Sequence, residues 1–264
     1  MNNKKNILSI QGLIKKFGNG RNEVTAVNDI SFGLAKNEII SFVGQSGSGK
    51  TTVARMVLGL LNPTQGNIYY KGNDIKNYSN KEKKYYWQNV QGIFQDPYAS
   101  FNQFYHVEKI LNDCFKLFDK KPSKVEMEEK ICQALDSVNL DPVDVLGKFP
   151  FEMSGGQRQR IMIARTFLIE PEVLIADEPT SMIDACSRAN ILDVLLEIKE
   201  KQNTSIIFIT HDMGFAYYAS DRIYIMENGF IVERGAVEEV VESPKHPYTK
   251  HLLSDVPLLT EDWI

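Results

Sequence analysis

A glycine-rich run that ends in lysine and threonine carries the strongest chemical signal in this sequence. Residues 44–51 match G-x-x-x-x-G-K-[ST] without exception, where the composition of the chain predicts about 0.01 such matches by chance. Glycines let backbone N–H groups approach an anion, and a helix that starts near Lys50 points its positive dipole end at the same place. Lys50 adds a charge for the β- and γ-phosphates of a nucleotide, and the Thr51 hydroxyl can bind Mg²⁺. The predicted nucleotide-binding residues are Gly44, Gln45, Ser46, Gly47, Ser48, Gly49, Lys50, Thr51 and Thr52.

Two adjacent acidic residues follow a short apolar run further along the chain. Residues 173–176 predict a buried strand, and Asp177 and Glu178 come directly after it. In a parallel sheet, such a strand is expected to place its end beside the phosphate loop. Because neighbouring strand residues point to opposite faces, the two acids must differ in role. Asp177 suits the Mg²⁺ shell, held through water, whereas Glu178 suits orientation of an attacking water or acceptance of its proton.

Two further polar residues end apolar stretches and could join the same site. His211 follows residues 205–210 and could contact a γ-phosphate or the attacking water, although a lone histidine in this position is more often packed. Gln95 follows residues 90–94, and its amide oxygen could bind Mg²⁺ and respond to nucleotide. Neither residue alone distinguishes a site from an ordinary strand end.

The elements that must position these residues follow from the apolar periodicity. Residues 38–43 form a short apolar run typical of a buried strand, and apolar residues at helical spacing from 53 to 61 predict a helix that Asn62 and Pro63 end. After residue 173, strands and helices alternate, which predicts parallel strands with crossover helices. Strands or hairpins are also expected at residues 7–14, 24–34 and 66–75.

Two stretches in the middle of the sequence indicate helices. Residues 105–140 show apolar faces at helical spacing, with Cys114 and Cys132 expected as core thiols. Residues 76–90 are rich in Lys and Tyr, and a solvated helix face explains them better than a nucleic-acid strip because the rest of the chain is acidic.

The overall composition excludes several classes of protein. The chain has 264 residues, 43% hydrophobic and 24% charged, with a net charge of -4, so a general nucleic-acid binder is disfavoured. Its three cysteines form no metal-ligand spacing and no disulfide framework, which indicates a reducing compartment. No apolar run approaches the ~18 residues of a membrane span, and the basic start is not followed by a signal-like apolar region. We therefore expect a cytoplasmic protein, unless another subunit holds it at a membrane.

A second glycine pair, preceded by serine, lies in the segment MSGGQRQR at residues 153–160. Ser154 is a good N-cap, and Gly155 and Gly156 leave backbone N–H groups open at the start of a helix, which makes a second anion site. The segment resembles the LSGGQ signature of ATP-binding cassette (ABC) ATPases, with Met153 in place of leucine, a volume-conserving difference. In that family, the signature loop of one chain closes on the ATP held by the partner's phosphate loop. The resemblance thus adds Ser154, Gly155, Gly156 and Gln157 to the ATP-binding residues.

The same resemblance assigns further residues across positions 7–258. Phe17 matches the aromatic that stacks on adenine, and Gln95 matches the glutamine that links nucleotide to the transmembrane partner. Asp177 and Glu178 match the Walker B pair, and His211 matches the switch histidine. The segment SMID, which ends at Asp184, resembles the D-loop SALD but differs at both central residues, which weakens the match there.

The resemblance also implies a fold and its organisation. It predicts one ABC nucleotide-binding domain with a P-loop NTPase (RecA-like) α/β core, an antiparallel β subdomain and an inserted α-helical subdomain. The implied boundaries are about 1–94 and 160–240 for the core with its β subdomain, 95–159 for the helical subdomain and 241–264 for a C-terminal tail.

Two segments resemble one importer subfamily more closely. The segment FQDPYASFN at residues 94–102 is similar to FQDPYASLNP of the oligopeptide, dipeptide and nickel importers, with Gln103 in place of the final proline. The segment SPKHPYTKHLL at residues 243–253 resembles the tail of that subfamily, although local physics alone predicts only a turn and a short helix. Some members carry an iron–sulfur cluster after this tail, and we expect none here because no cysteine follows Cys186.

The resemblance implies a Mg²⁺-dependent ATPase subunit of a peptide-type ABC importer. The implied partners are a second, related but different ATPase chain, two membrane permease subunits and, indirectly, an extracytoplasmic solute-binding protein, with no nucleic acid. The chain would lie peripherally at the cytoplasmic face of the membrane. Oligopeptides or dipeptides are favoured as the solute, with nickel or other metal chelates and oligosaccharides as the alternatives. A soluble ABC ATPase without a transporter, and a partner that binds but does not hydrolyse ATP, are the alternatives.

Overall fold

The computed structural model describes residues 6–96, 101–118, 120–181 and 185–254, which form an α/β fold. In chain order the strands are β1 (Asn6–Phe17), β2 (Val24–Ala35), β3 (Ile39–Val43), β4 (Gln65–Tyr70), β5 (Asn73–Asp74), β6 (Val90–Ile93), β7 (Val173–Asp177), β8 (Ser205–Thr210), β9 (Arg222–Glu227) and β10 (Phe230–Ala236). The α-helices are α1 (Lys50–Val57), α2 (Asn80–Asn89), α3 (Val107–Cys114), α4 (Lys124–Asp136), α5 (Pro142–Val145), α6 (Gly155–Ile169), α7 (Ala185–Gln202), α8 (Met213–Ala219), α9 (Val237–Glu242) and α10 (Pro247–Ser254). Short 3-10 helices lie at Gly20–Asn22, Ile75–Asn77, Phe115–Leu117 and Pro150–Glu152.

The chain divides into two compact units. Unit 1 takes its described residues from Met1–Lys76 and Ile207–Ile264, and unit 2 takes them from Asn77–Ile206. The predicted phosphate loop and His211 belong to unit 1, whereas Gln95, the signature segment and the acidic pair belong to unit 2. The subdomain boundaries expected from the sequence stay predictions.

A four-stranded antiparallel sheet forms one part of unit 1. Its strand order is β2-β1-β4-β5, and Leu8 on β1 lies opposite Leu34 on one side and Tyr70 on the other. All three side chains are buried, so this sheet has an apolar face that packs into a core. The sheet confirms the expected antiparallel β part of the fold, although β1 continues past the predicted end at residue 14 and reaches Phe17.

The second sheet in unit 1 carries the phosphate loop. Its strands follow the order β10-β9-β3-β8, of which β8 begins two residues before this unit resumes at Ile207. Strands β3 and β9 are parallel, with Val43 opposite Ile225. Every residue of β3 is buried, which confirms the continuous apolar run as a central strand. Strands β9 and β10 form an antiparallel hairpin through Asn228 and Gly229, both with left-handed backbones, as a tight two-residue turn requires.

Helix α1 ends earlier than its apolar spacing predicts. Gly59 takes a left-handed backbone with φ of 70° and donates its N–H to the carbonyl of Met56, while Leu60 donates to the carbonyl of Arg55. These two bonds are a Schellman ending, which satisfies the last helical carbonyls. The expectation that the helix continues to Asn62 is therefore wrong, because the left-handed backbone of Gly59 ends the helix about one turn earlier.

Unit 2 contains parallel strands and many of the helices. Strands β6 and β7 pair in parallel, with Val90 opposite Val173, and every residue of β7 is buried. Together with β3 and β9, this pair confirms the parallel arrangement predicted from the alternation of strands and helices. Helix α2 confirms the solvated helix expected at 76–90: it starts with a capping box between Ser79 and Glu82 and buries only Tyr86.

The predicted helical stretch at residues 105–140 contains two separate helices. Helix α3 runs into a 3-10 turn at Phe115–Leu117, and α4 begins after Ser123, whose capping box with Glu126 fixes its start.

Within the described parts of the chain, no helix is both long and apolar enough to cross a membrane.

The two cysteines of these helices should differ in reactivity. Cys114 is buried, whereas Cys132 is half-buried, so the expectation that both are core thiols is wrong for Cys132. Desolvation raises the pKa of the Cys114 thiol and outweighs the opposing effect of the Arg165 guanidinium. We expect iodoacetamide to modify Cys114 at least about tenfold more slowly than Cys132, because only the exposed thiolate reacts. Peptide mass spectrometry would measure both rates, which should become similar when urea unfolds the protein. Equal rates already in the native protein would contradict the burial of Cys114.

Candidate functional site

The phosphate loop joins β3 to α1 in unit 1, where the sequence predicts it. Gly49 caps α1 with a left-handed backbone, and Lys50 is the first residue of the helix. The Lys50 ammonium is buried against the loop and donates to the carbonyl oxygen of Gly44 at 2.6 Å, to that of Gln45 at 2.9 Å and to the Ser48 hydroxyl at 3.2 Å. The loop therefore holds its lysine at the N-terminal end of the helix, where the dipole favours an anion.

Close backbone contacts explain two of the three loop glycines. A Cβ atom at Gly44 would lie 2.1 Å from the carbonyl oxygen of Met226, and one at Gly49 would lie 2.4 Å from that of Ala26. Gly47 faces open space but has φ of 84°, which other residues adopt at a cost. The ends of the loop are thus fixed by packing, and its middle is shaped by backbone conformation.

Two contacts to the phosphate loop come from distant parts of unit 1 and have no signal in the local sequence. Gly229, in the β9–β10 turn, donates its N–H to the carbonyl oxygen of Ser48 at 3.0 Å. Tyr248, on helix α10, accepts a hydrogen bond from the backbone N–H of Gln45 at 2.9 Å. The loop is therefore supported from two sides, and only the resemblance of the tail to a known subfamily drew attention to Tyr248.

The acidic pair lies at the end of β7 in unit 2, and Gln95 is brought to it. Asp177 is the last residue of the strand and is 3% exposed, whereas Glu178 is half-buried and has φ of 47°. The Gln95 side-chain Nε2 donates to Glu178 Oε2 at 3.0 Å. The carbonyl of Glu178 accepts from the Ser181 N–H and hydroxyl, which holds the turn. The left-handed backbone thus turns the chain directly after the strand and aims the two carboxylates differently.

The signature segment forms a capped helix start in unit 2, as predicted. The Ser154 hydroxyl accepts the N–H of Gln157 at 3.2 Å, and the Gln157 side chain accepts the N–H of Ser154 at 3.0 Å. Gly155 and Gly156 lie in the first turn of the 15-residue helix α6, where backbone N–H groups lack intrahelical acceptors. The buried Arg158 side chain donates to the carbonyl oxygens of residues 150 and 153 and so ties the preceding turn to the helix.

Three remaining predicted residues are Phe17, His211 and Asp184. Phe17 ends β1, is 43% exposed, and has the Lys15 ammonium 5.1 Å from its ring centroid. His211 is exposed directly after β8, and Asp212 caps the following helix, so the histidine lies between two ordered elements. Asp184, like residues 97–100 of the subfamily segment, lies outside the described residues.

The predicted metal-binding residues have the chemistry that Mg²⁺ requires. Thr51 offers a hydroxyl in the first turn of α1, and Asp177 offers a carboxylate. Because Gln95 uses its Nε2 to donate to Glu178, its amide oxygen is the atom left for a cation. Hydroxyl, carboxylate and amide oxygens are all ligands that Mg²⁺ accepts, so the donor set fits this ion.

Comparison with known proteins points in the same direction. Residues 27–181 match the family described as ABC transporter. The chain is 38% identical over 256 residues to the oligopeptide transport ATP-binding protein OppF of Streptococcus mutans. That alignment covers 97% of this chain and 83% of that protein. It is 40% identical over 237 residues to the oligopeptide transport ATP-binding protein AppF of Bacillus subtilis, in an alignment that covers 89% of this chain and 71% of that protein.

A solved structure supports the fold independently. The dimeric post-hydrolysis state of the ATP-binding cassette MJ0796, bound to ADP and Pi, superposes with a TM-score of 0.80. The alignment covers 87% of this chain and 98% of that chain at 22% identity. At this identity the likeness establishes the fold of the chain, which confirms the P-loop NTPase class expected from the phosphate loop and the alternating elements.

Proposed function

Because the chain belongs to the ABC transporter family, we propose that it is the ATP-hydrolysing subunit of a membrane importer for oligopeptides. The observation that carries the ATPase part is the phosphate loop, which holds the buried Lys50 at the start of α1. The peptide part rests on the oligopeptide transport relatives, which cover most of this chain. The resemblance of residues 243–253 to the tail of one importer subfamily supports it.

The proposed mechanism divides the work between the two units. In unit 1, the backbone N–H groups of the loop and Lys50 bind the nucleotide phosphates, and Phe17 stacks on the adenine. In unit 2, Glu178 orients the attacking water and accepts its proton, and Gln95 holds that carboxylate in place. His211 contacts the γ-phosphate or the water. The reaction is phosphoryl transfer to water, in which positioning and charge stabilisation do most of the catalysis.

Thr51, Asp177 and Gln95 would hold Mg²⁺, directly or through water. When bound, this ion neutralises the charge that develops on the phosphoryl oxygens. The open glycine N–H groups at the start of α6 offer a second anion site. Its use requires a second cassette, so that Ser154, Gly155, Gly156 and Gln157 of one chain, together with Asp184, bind the nucleotide of the other.

The proposed assembly contains a second ATPase chain, related but different, and two membrane permease subunits. A solute-binding protein on the far side of the membrane would deliver the peptide, and this chain would lie peripherally at the cytoplasmic face. ATP binding at shared sites closes the two cassettes and hydrolysis reopens them, which moves the permease as a rigid body. No nucleic acid takes part.

Complementation of transport tests the proposal in cells. In a strain whose own copy of the gene is deleted, the wild-type chain should restore uptake of a labelled pentapeptide, whereas the Glu178→Gln chain should not. The same cells should be tested with a dipeptide, a nickel chelate and an oligosaccharide. Restored uptake of one of these but not of the pentapeptide would keep the importer ATPase and replace its solute. Unchanged uptake of every solute after deletion would contradict the importer function.

The alternatives have their own measurements. A soluble ABC ATPase that acts without a transporter should bind DNA or RNA with an affinity that falls steeply with salt. A partner that only binds nucleotide should show no ATP turnover even when the other ATPase chain and the permease subunits are present. The presence of the hydrolytic candidates Lys50, Gln95 and Glu178 argues against a partner that only binds nucleotide. The net charge of -4 argues against an ATPase that acts on nucleic acid.

A further inference from the structure

One peptide group connects the phosphate-binding lysine to the C-terminal tail. The carbonyl oxygen of Gly44 accepts a hydrogen bond from the Lys50 ammonium at 2.6 Å. The N–H on the other side of that same peptide group belongs to Gln45 and donates to the Tyr248 hydroxyl at 2.9 Å. Because a peptide group is planar, the two bonds fix its orientation together, so that Tyr248 constrains the carbonyl that Lys50 uses.

The tail that carries Tyr248 is itself anchored to unit 1. The Glu233 carboxylate, on β10, accepts the backbone N–H groups of Lys245 at 2.8 Å and His246 at 3.0 Å, directly before helix α10. The ring nitrogen Nδ1 of His246 then accepts the N–H of Tyr248 at 3.2 Å. These bonds set where α10 begins and therefore where the tyrosine hydroxyl lies.

Apolar packing holds the other side of the tail. Leu252 belongs to a buried cluster that includes Val43, the last residue of β3 before the phosphate loop, and Tyr248 packs against the same cluster. The tyrosine ring is thus partly buried against this cluster while its hydroxyl reaches the loop, an arrangement that restricts where that hydroxyl can lie.

We propose that Tyr248 is a positioning residue for the phosphate loop, and that the docked C-terminal tail raises the affinity of the chain for ATP. The inference rests on the proposed ATPase function and adds to it a role for the tail. In this role the tyrosine acts through the loop and not through contact with the nucleotide. It acts by holding the Gly44–Gln45 peptide group in the orientation that keeps Lys50 at the loop. By linkage, ATP must then strengthen the docking of the tail by the same factor.

The direct test is Tyr248→Phe, which keeps the packed ring and removes the hydroxyl. We expect the Kd for ATP, measured by calorimetry, to rise about three- to tenfold, the usual contribution of one hydrogen bond. In steady-state turnover KM should rise, while kcat at saturating ATP should stay within about twofold, because the reacting groups are untouched. Tyr217→Phe is the matched control: this tyrosine is exposed on α8 in the same unit and should leave Kd unchanged.

The linkage has a second readout that a merely structural role would not move. A non-hydrolysable ATP analogue should slow hydrogen exchange of the α10 backbone amides in the wild-type chain, and less so in Tyr248→Phe. Glu233→Ala releases the anchor of the tail and should raise the Kd for ATP by a similar factor. The variant that carries both Tyr248→Phe and Glu233→Ala should bind ATP no more weakly than the weaker-binding of the two single variants, because both changes remove the same support of the loop by the tail.

The outcomes separate this inference from the function on which it rests. If the wild-type chain binds ATP and Tyr248→Phe binds it equally well, the positioning role is overturned and the ATPase remains. If the exchange of α10 is insensitive to nucleotide, or if the two losses simply add, the coupling is likewise overturned. If the wild-type chain fails to bind ATP at all, the proposed function falls, and this inference falls with it.

Discussion

Replacing Lys50 with alanine is expected to weaken ATP binding at least about 100-fold, the loss typical of removing one partner of a buried charged contact. Lys50 is 4% exposed, and its ammonium is held against the loop by the carbonyl oxygens of Gly44 and Gln45. Alanine removes the positive charge that these contacts keep at the phosphate site, and it also removes their donor. The change therefore affects both the attraction of the loop for phosphate and its shape.

Calorimetric titration with ATP measures this loss. Lys36→Ala is the control, because Lys36 is an exposed lysine in the same unit and its removal changes the net charge equally. Lys50→Arg separates charge from fit: the guanidinium keeps the charge, but its planar fork differs from an ammonium that donates to three oxygens at the base of the loop. An unchanged ATP affinity in Lys50→Ala would contradict the assignment of the phosphate loop.

Replacing Glu178 with glutamine is expected to leave ATP binding intact and to slow hydrolysis by ~10²–10⁴-fold, the usual contribution of a positioned general base. Glutamine has nearly the same shape, and its amide oxygen can still accept the hydrogen bond that Gln95 donates at 3.0 Å. The site should thus keep its geometry and lose only the ability to take up a proton. Single-turnover release of phosphate, measured beside ATP affinity, separates these two effects.

Glu200→Gln is the matched control for this change, because Glu200 is an exposed carboxylate of the same unit on helix α7. It should hydrolyse ATP at the wild-type rate. Near-normal turnover in Glu178→Gln would remove Glu178 from the role of base and would leave Asp177 and His211 as the groups to test next.

The same slow variant reveals the assembly. Light scattering on Glu178→Gln should show a shift from monomer to dimer when ATP and Mg²⁺ are added, if two copies of this chain form shared sites. A chain that binds ATP and remains a monomer would show that closure needs a different ATPase chain. The second result agrees with the heterologous partner in the proposed assembly.

The sequence predicts the site best where the relevant information is local. Strand β3, the phosphate loop and the start of α1 follow one another in the chain, so apolar spacing and glycine positions were sufficient to find them. The N-terminal cap of α6 could also be predicted from the sequence, because Ser154 and Gln157 are three residues apart. The end of α1 was missed because Leu60 and Leu61 continue the apolar period, while the Schellman ending at Gly59 depends on backbone conformation.

Contacts between distant residues were beyond the reach of such patterns. The bonds from Gly229 to Ser48 and from Gln45 to Tyr248 join residues about two hundred positions apart, and periodicity carries no information on such pairs. The hydrogen bond from Gln95 to Glu178 is of the same kind: the sequence proposed both residues for one site, but only the structure shows that they touch.

The left-handed backbone at Glu178 lowers the thermal stability of the chain at a position that ATP hydrolysis is proposed to need. A glutamate in this conformation raises the energy of the folded chain by about 1 kcal/mol relative to glycine, which adopts it freely. A library of variants selected only for survival at high temperature is therefore expected to enrich glycine at this position. The enriched proteins would melt later and would still bind nucleotide, yet they would no longer release phosphate at a useful rate. Mutagenesis that aims to raise the thermal stability of this chain should therefore leave Glu178 unchanged.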